Sequence, residues 1–95
     1  MIKHVVMFKL HARSPENLER AVAAIGSLRK DIESIRALEI GADFAATSFS
    51  YDIVATVCFD DRSALEAYEK HPAHRVVLGV MRELSRAVAI VDYEC

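Results

Sequence analysis

The chain has 95 residues, of which 53% are hydrophobic and 27% are charged, and its formal net charge at pH 7 is −2. A chain of this length builds a single hydrophobic core, which excludes a second domain, and its high apolar fraction excludes intrinsic disorder. Two cysteines exclude a disulfide scaffold, and 12 basic residues mixed with 14 acidic ones exclude nucleic acid as a main partner, because phosphate binding needs a clustered basic surface.

We therefore expect one domain over residues 1–95. So short a chain buries only about 60–65% of the surface that its unfolded state exposes, and such chains often gain stability from oligomerisation. The excess of apolar residues predicts a homo-oligomer. No apolar run approaches the roughly 18 residues that span a bilayer, and Lys9 and His11 interrupt the first run too soon for a signal peptide. These features predict a cytoplasmic protein with both thiols reduced and no membrane partner.

The first half of the chain is predicted to form a strand, a helix and a second strand. Ile2–Leu10 is rich in Val, Ile and Phe, is too short for a helix, and carries apolar residues on both faces. Ser14, Pro15 and Glu16 form a helix start, with a capping side chain, a proline in the first turn and an acid that complements the helix dipole. Apolar residues then recur at helical spacing: Leu18, Ala21, Val22, Ile25, Leu28 and Ile32. Ala37–Phe44 is predicted as the second strand.

In the second half, a loop over Ala45–Ser50 precedes the clearest strand, Tyr51–Phe59, in which apolar residues alternate. A short helix then carries an apolar stripe: Ala64, Leu65 and Tyr68. His71 and Pro72 break that helix, because proline lacks an amide donor and disfavours helical geometry in the residue before it. A third helix follows with its own apolar stripe: Val76, Val77, Val80, Met81 and Leu84. Ala87–Tyr93 is the last predicted strand.

The order strand, helix, strand, strand, helix pair, strand predicts an α+β fold of the ferredoxin-like βαββαβ type. Its four-stranded antiparallel sheet would carry the helices on one face. The face away from the helices carries large apolar residues whichever set of alternate side chains points outward. Two such sheets packed face to face would bury these residues, so we expect a homodimer, a dimeric α/β barrel. Gly26 inside the first helix indicates close packing there, and Gly41 indicates a bulge or a close approach.

Several segments of the chain resemble the stress-responsive α/β-barrel (Dabb) family. They are Ile2–Leu10, Tyr51-Asp52, Leu65–His74 and Val91–Glu94. The most specific element is the tetrapeptide His71-Pro72-Ala73-His74 after a short helix, combined with the Lys3-His4 pair on the first strand. The resemblance covers nearly the whole chain, and it implies the same dimeric ferredoxin-like barrel that the pattern of elements predicts.

A polyketide cyclase of this family closes a linear polyketide by an intramolecular aldol reaction. The resemblance implies that His74 is the general base, that Tyr68 orients it or binds the oxyanion, and that His4 contacts the substrate. It implies a supporting, substrate-binding role for His71. Imidazole titrates at about pH 6.5, so it can accept and return a proton near neutral pH. Proton removal beside a carbonyl requires such a base together with a donor for the developing enolate oxygen.

Each of these residues also has a structural alternative. His4 and Tyr68 can be core residues, His71 can cap the third helix, and His74 in the first turn of that helix can face solvent. The other residues that we expect to contact a substrate are apolar side chains of the pocket wall: Phe8, Val77 and Met81.

We expect no cofactor and no metal, because the histidines lack cysteine ligands at a zinc-binding spacing. The leading hypothesis is a homodimeric Dabb-domain protein that binds a small hydrophobic molecule and has histidine-based proton-transfer activity of the polyketide cyclase kind. Two alternatives stay open. One is a non-catalytic structural dimer associated with stress, and the other is an oxygenase related to other dimeric α/β-barrel proteins.

Overall fold

The computed structural model describes residues 1–95, and its four strands and three helices follow the predicted order. The elements are β1 (Ile2–Leu10), α1 (Pro15–Asp31), β2 (Ala37–Ala42), β3 (Ile53–Phe59), α2 (Arg62–Lys70), α3 (Pro72–Leu84) and β4 (Ser85–Glu94). The strands form one antiparallel sheet in the spatial order β2-β3-β1-β4, so β2 and β4 are its edges. This is the ferredoxin-like βαββαβ arrangement, and the predicted fold class is confirmed. No helix of the chain is both long enough and apolar enough to cross a membrane.

The hydrophobic core lies between the helices and one face of the sheet. Every second side chain of β1 and of β3 points towards the helices and is buried, because successive side chains of a strand alternate between its faces. α1 and α3 bury one stripe each against that face. The core residues from these helices are Ala21, Ile25, Leu28, Val77, Met81 and Leu84.

The strand boundaries differ from the predicted ones where local hydrogen bonds end or extend the pairing. β2 ends before Asp43, because the Asp43 carboxylate accepts a hydrogen bond from the Ala46 amide at 2.8 Å and turns the chain. β3 begins later than predicted, at Ile53. β4 begins earlier than predicted, because Ser85 pairs with Leu10 as soon as α3 ends.

Two of the three glycines inside elements lie against side chains of neighbouring strands, whereas Gly79 in α3 has open space beside it. A Cβ atom added at Gly26 would meet Cδ1 of Ile40 at 3.7 Å, which is an ordinary van der Waals contact, so the packing at this position does not require a glycine. One added at Gly41 would lie 3.4 Å from Cγ1 of Val54, and Gly41 pairs with Val54 in regular register. Gly41 therefore marks a close approach between neighbouring strands and not a bulge.

The face of the sheet that points away from the helices carries large apolar side chains, as predicted from the alternation of the strands. Met7 of β1 is 36% exposed, and Val91 and Tyr93 of β4 are 59% and 44% exposed. Phe44 and Phe49, in the loop between β2 and β3, are almost fully exposed and line a groove that also contacts Met7. We call Met7, Val91, Tyr93, Phe44 and Phe49 the outer face.

A carboxylate attaches the loop between β2 and β3 to the end of β1. The Leu10 amide donates to Asp52 Oδ2 at 2.7 Å, and Arg13 Nη1 donates to Asp52 Oδ1 at 2.9 Å. Burial by itself raises the pKa of Asp52, but these two hydrogen bonds together with the positive charges of Arg13 and Lys9 outweigh it and hold the pKa of this carboxyl below its ordinary value. The charged form of Asp52 therefore stabilises the fold.

We predict that the Asp52→Asn variant unfolds more easily than the unmodified protein at about pH 7, by about 1–2 kcal/mol, because the charged acceptor is lost. The folded pKa of Asp52 is depressed, so its contribution is complete above the unfolded pKa and is lost as the pH falls through the folded pKa. Urea unfolding at about pH 7 and about pH 3 should show the difference shrinking in acid. Asp60→Asn, which alters an exposed ion pair, serves as the control. An equal loss of stability at both pH values would contradict the conclusion that the charged form of Asp52 stabilises the fold.

Candidate functional site

A cavity of about 230 Å³ lies between the helical layer and the sheet. Its inner wall consists of buried residues of β1, β3, α1 and α3, and most of its lining is apolar. A 150 Å³ apolar cavity is enough to bind benzene, so this cavity has room for a ligand somewhat larger than one benzene ring. The lining residues that are most exposed are Glu69, Arg82, Val88 and Ile90, and they mark the mouth of the cavity between α3 and the edge strand β4.

Three polar rings lie next to one another in the cavity wall. The ring centroid of Tyr68 is 4.5 Å from that of His74 and 5.8 Å from that of His4. Each ring belongs to a different element, since His4 lies on β1, Tyr68 on α2 and His74 on α3. The structure therefore brings together the three residues for which the sequence predicts catalytic roles.

The hydrogen bond of His74 determines where its ring carries the proton. His74 Nδ1 lies 3.2 Å from the backbone oxygen of Glu69, a carbonyl at the end of α2 that has no partner within its helix. A carbonyl only accepts, so Nδ1 must donate, and the neutral ring keeps a lone pair on Nε2. Burial lowers the pKa of His74, and the nearby His4 lowers it further, although the Glu69 carbonyl favours the charged form. His74 is thus a neutral ring with a free basic nitrogen.

Tyr68 has the opposite character and retains its proton. The residue is 4% exposed, and burial raises the pKa of its hydroxyl to about 12, with a further contribution from the nearby Glu69 carboxylate. The Tyr68 hydroxyl makes no hydrogen bond to the protein, and yet it is not a fully buried group, because the fully buried side-chain groups without a partner are those of Ser34 and Ser85. The hydroxyl is therefore open to the cavity and can donate a hydrogen bond to a ligand.

His4 has a partner that the sequence analysis did not identify as functional. Its Nδ1 contacts the carboxylate oxygen Oδ1 of Asp92, which lies opposite His4 in the pairing of β1 with β4. The His4 side chain is buried, whereas that of Asp92 is partly exposed. The carboxylate fixes a proton on Nδ1 of His4 and leaves Nε2 as the second polar atom of the ring. The only signal in the sequence was the segment Val91–Glu94, which resembles the family without indicating a contact to His4.

His71 lies outside this cavity. Its Nδ1 accepts a hydrogen bond from the Ala73 amide at 3.0 Å and caps α3, while its own amide donates to the Tyr68 carbonyl at 3.1 Å and ends α2. The apolar residues predicted to contact a substrate all line the cavity: Phe8, Val77 and Met81. Leu78, Glu69, Arg82, Val88 and Ile90 also line it and were not predicted. The chain has no group of three or more His, Cys, Asp or Glu side chains arranged to hold a metal ion.

Known proteins share both the sequence pattern and the fold. A family model described as the stress responsive A/B barrel domain (Dabb) matches residues 2–95. An uncharacterised protein of Streptomyces coelicolor is 34% identical over 97 residues, which cover 99% of this chain and 99% of that protein. A dimeric protein of unknown function with a ferredoxin-like fold from Bacteroides fragilis is 30% identical with a TM-score of 0.85, covering 99% of this chain and 95% of that one.

A further solved structure shows how widely this fold is used. The hydroxynitrile lyase of Passiflora edulis has a TM-score of 0.85 to this chain, covering 97% of this chain and 90% of the lyase. The two sequences are 11% identical, so this likeness concerns the fold alone.

We predict that the His74 ring titrates below the pH at which it titrates in the unfolded chain, because burial disfavours its charged form. Since the folded pKa is depressed, neutral His74 contributes stability above the unfolded pKa, and this contribution is lost as the pH falls through the folded pKa. NMR titration of the ring protons, assigned with the His74→Gln variant, measures the midpoint. The same titration in urea is the control and should give the ordinary value. A folded midpoint at or above the unfolded one would refute the neutral ring.

Proposed function

Because the chain belongs to the stress responsive A/B barrel domain family, we propose that it is a homodimer that binds a small hydrophobic carbonyl compound in each subunit and moves a proton beside the carbonyl. Residues 1–95 act as one domain in this proposal. The observation that carries it is the meeting of His4, Tyr68 and His74 in the wall of one apolar cavity. An apolar pocket with a few convergent polar groups is the usual form of a small-molecule site.

His74 is the general base of the proposed reaction. Its Nδ1–H is held by the Glu69 carbonyl, so Nε2 accepts the proton without a change of tautomer. Its lowered pKa keeps the ring neutral near pH 7, which is the form that accepts a proton. A positioned base of this kind contributes roughly 10²–10⁴ in rate.

Tyr68 supplies the donor that the developing charge requires. When the C–H bond beside a carbonyl breaks, the electron pair moves onto the carbonyl oxygen, and the enolate that forms needs a hydrogen-bond donor. The Tyr68 hydroxyl retains its proton, faces the cavity and lies beside His74. In an apolar wall that excludes water, such a donor stabilises the oxyanion more than it would in solution.

His4 contacts the substrate in this proposal, and Asp92 is a positioning residue that acts through His4. Asp92 holds Nδ1 of His4, which fixes the ring against β1 and directs its remaining nitrogen. A carboxylate behind a histidine sets both the tautomer and the orientation of the ring.

The proton transfer leads to ring closure when the compound carries a second carbonyl. The C–H bond breaks, Nε2 of His74 gains the proton, and the enolate carbon then forms a bond to the second carbonyl carbon. The new alkoxide takes the proton back from the imidazolium, so the sum of the two steps is an aldol addition with no other reactant. This is the reaction type of the family's polyketide cyclase activity, and it needs only groups that line the cavity.

We predict that the protein speeds the exchange of ketone α-hydrogens for deuterium in D₂O, measured by NMR on a linear β-diketone. His74→Gln should slow the protein-catalysed exchange roughly 10²–10⁴-fold, because the base is lost. Tyr68→Phe should slow it by a smaller factor. The matched control is the His11→Gln variant, which alters an exposed histidine outside the cavity and should catalyse the exchange at the rate of the unmodified protein. If the unmodified protein binds the diketone without speeding exchange, the catalytic part of the proposal is wrong and a non-catalytic binding protein remains.

The homodimer is proposed from the outer face. A polar surface would need no partner to bury it. The outer face instead exposes the apolar side chains of Val91, Tyr93 and Met7 next to the almost fully exposed rings of Phe44 and Phe49. Contiguous apolar patches of this kind mark protein–protein contacts in small domains. The Bacteroides fragilis relative is described as dimeric, and two sheets packed across a twofold axis would bury the patch of each copy.

We predict that the unmodified protein sediments as a dimer in analytical ultracentrifugation and that Val91→Lys sediments as a monomer, because a buried lysine charge opposes the contact. Val76→Lys is the matched control. Val76 is 69% exposed on α3, on the helical side of the sheet, so this variant should remain dimeric. A monomeric unmodified protein, or the same state for both variants, would contradict the proposed interface.

A further inference from the structure

The mouth of the cavity differs in charge from its interior. The inner wall is apolar apart from the three rings, whereas the mouth carries one acid and one base, Glu69 and Arg82. Glu69 lies at the end nearest the rings, next to Tyr68 in α2 and with its carbonyl bonded to His74. Arg82 lies in the last turn of α3, at the far end. The two charges are therefore at opposite ends of the opening.

Arg82 has no counterion in the protein. Five of the eight arginines make hydrogen bonds or ion pairs with protein oxygens: Arg13, Arg20, Arg29, Arg36 and Arg62. Arg75 and Arg86 make none either, but neither of them lines the cavity, whereas Arg82 does. The acid that follows Arg82 in the chain, Glu83, pairs with Arg20 instead. A basic residue in the last turn of a helix interacts favourably with the helix dipole whichever way its side chain points. The dipole therefore does not explain why the Arg82 side chain borders the cavity. An unpaired guanidinium beside an apolar opening is suited to bind an anion.

The spacing along α3 gives a scale for a ligand that reaches from the rings to the mouth, part of which lies outside the cavity of about 230 Å³. His74 and Arg82 are eight residues apart on one helix, which corresponds to about 12 Å along its axis. Val77, Leu78 and Met81 line the cavity between them. A fully extended chain advances about 3.5 Å over three bonds, so about ten bonds span this distance.

We propose that the ligand is an amphipathic anion whose apolar chain runs along α3 and whose carboxylate or phosphate group is bound by Arg82 at the mouth. The inference rests on the proposed function, because the opposite end of the ligand then carries the carbonyl that reacts beside His74. Glu69 sets the direction of binding, since its carboxylate repels an anionic group from the end nearest the rings. Arg82 is thus the residue that selects the headgroup of the substrate.

The test compares ligands that share one chain and differ in the headgroup. Decanoate, decyl phosphate and the neutral decanol are titrated into the full-length protein, and their affinities are measured by calorimetry at low and high salt. We expect at least one anion to bind about fivefold to tenfold more tightly than decanol, and the advantage to shrink at high salt. The preferred anion identifies the headgroup as a carboxylate or a phosphate.

Two variants assign the effect to one side chain. Arg82→Gln should remove the advantage of the anion and leave the affinity for decanol unchanged, because the apolar wall is intact. Arg75→Gln removes the same charge from an exposed position of α3 that does not line the cavity, and it should behave like the unmodified protein.

Each remaining outcome overturns a stated part of the inference. Equal binding of decanol and both anions to the unmodified protein would reject Arg82 as a headgroup site. The cavity would still be supported as a site that binds hydrophobic molecules. An equal loss of anion affinity in the Arg82→Gln and Arg75→Gln variants would show a general effect of charge and reject a specific contact between Arg82 and the headgroup. If none of the three ligands binds, the proposed binding function itself fails.

Discussion

The burial of the Tyr68 ring is the constraint on which the rest of the site depends. The ring packs against Phe59 of β3 at a centroid distance of 5.1 Å and lies between His4 and His74. Because a buried phenol resists ionisation, the same packing that fills this part of the core also keeps Tyr68 a hydrogen-bond donor. Burial of its neighbour His74 favours the neutral ring. One apolar environment thus produces a neutral acid and a neutral base side by side.

The corner between α2 and α3 places these groups. His71 ends α2 with its amide and begins α3 with its side chain, and Pro72 fits the first turn because that position needs no amide donor. The two helices therefore meet without a loop. α3 leaves the corner in a direction that lets His74 donate to the Glu69 carbonyl at the end of α2. The two histidines of one tetrapeptide thus occupy different environments, one as a cap and one in the cavity wall.

The sheet separates two surfaces with different properties. Alternate residues of β1 point in opposite directions, so His4 and Phe8 line the cavity while Met7 lies on the outer face. The three helices of this domain cover only one face of its sheet. A dimer across the outer face would leave the mouth between α3 and β4 on the other side, which is compatible with one independent cavity in each subunit.

Local patterns in the sequence were sufficient to predict the order of the elements, the one-sided core and the cap at Ser14, because periodicity and capping depend on neighbouring residues. For His71 they left capping as the alternative to a substrate-binding role, and the structure shows the cap. The resemblance also indicated the three rings, whose roles stay predictions. The pairing of His4 with Asp92 was not accessible in this way. It joins residues 88 positions apart and depends on the register of two strands, which no local pattern encodes. The mouth of the cavity, with Arg82 at one end, likewise exists only because tertiary packing sets α3 beside an edge strand.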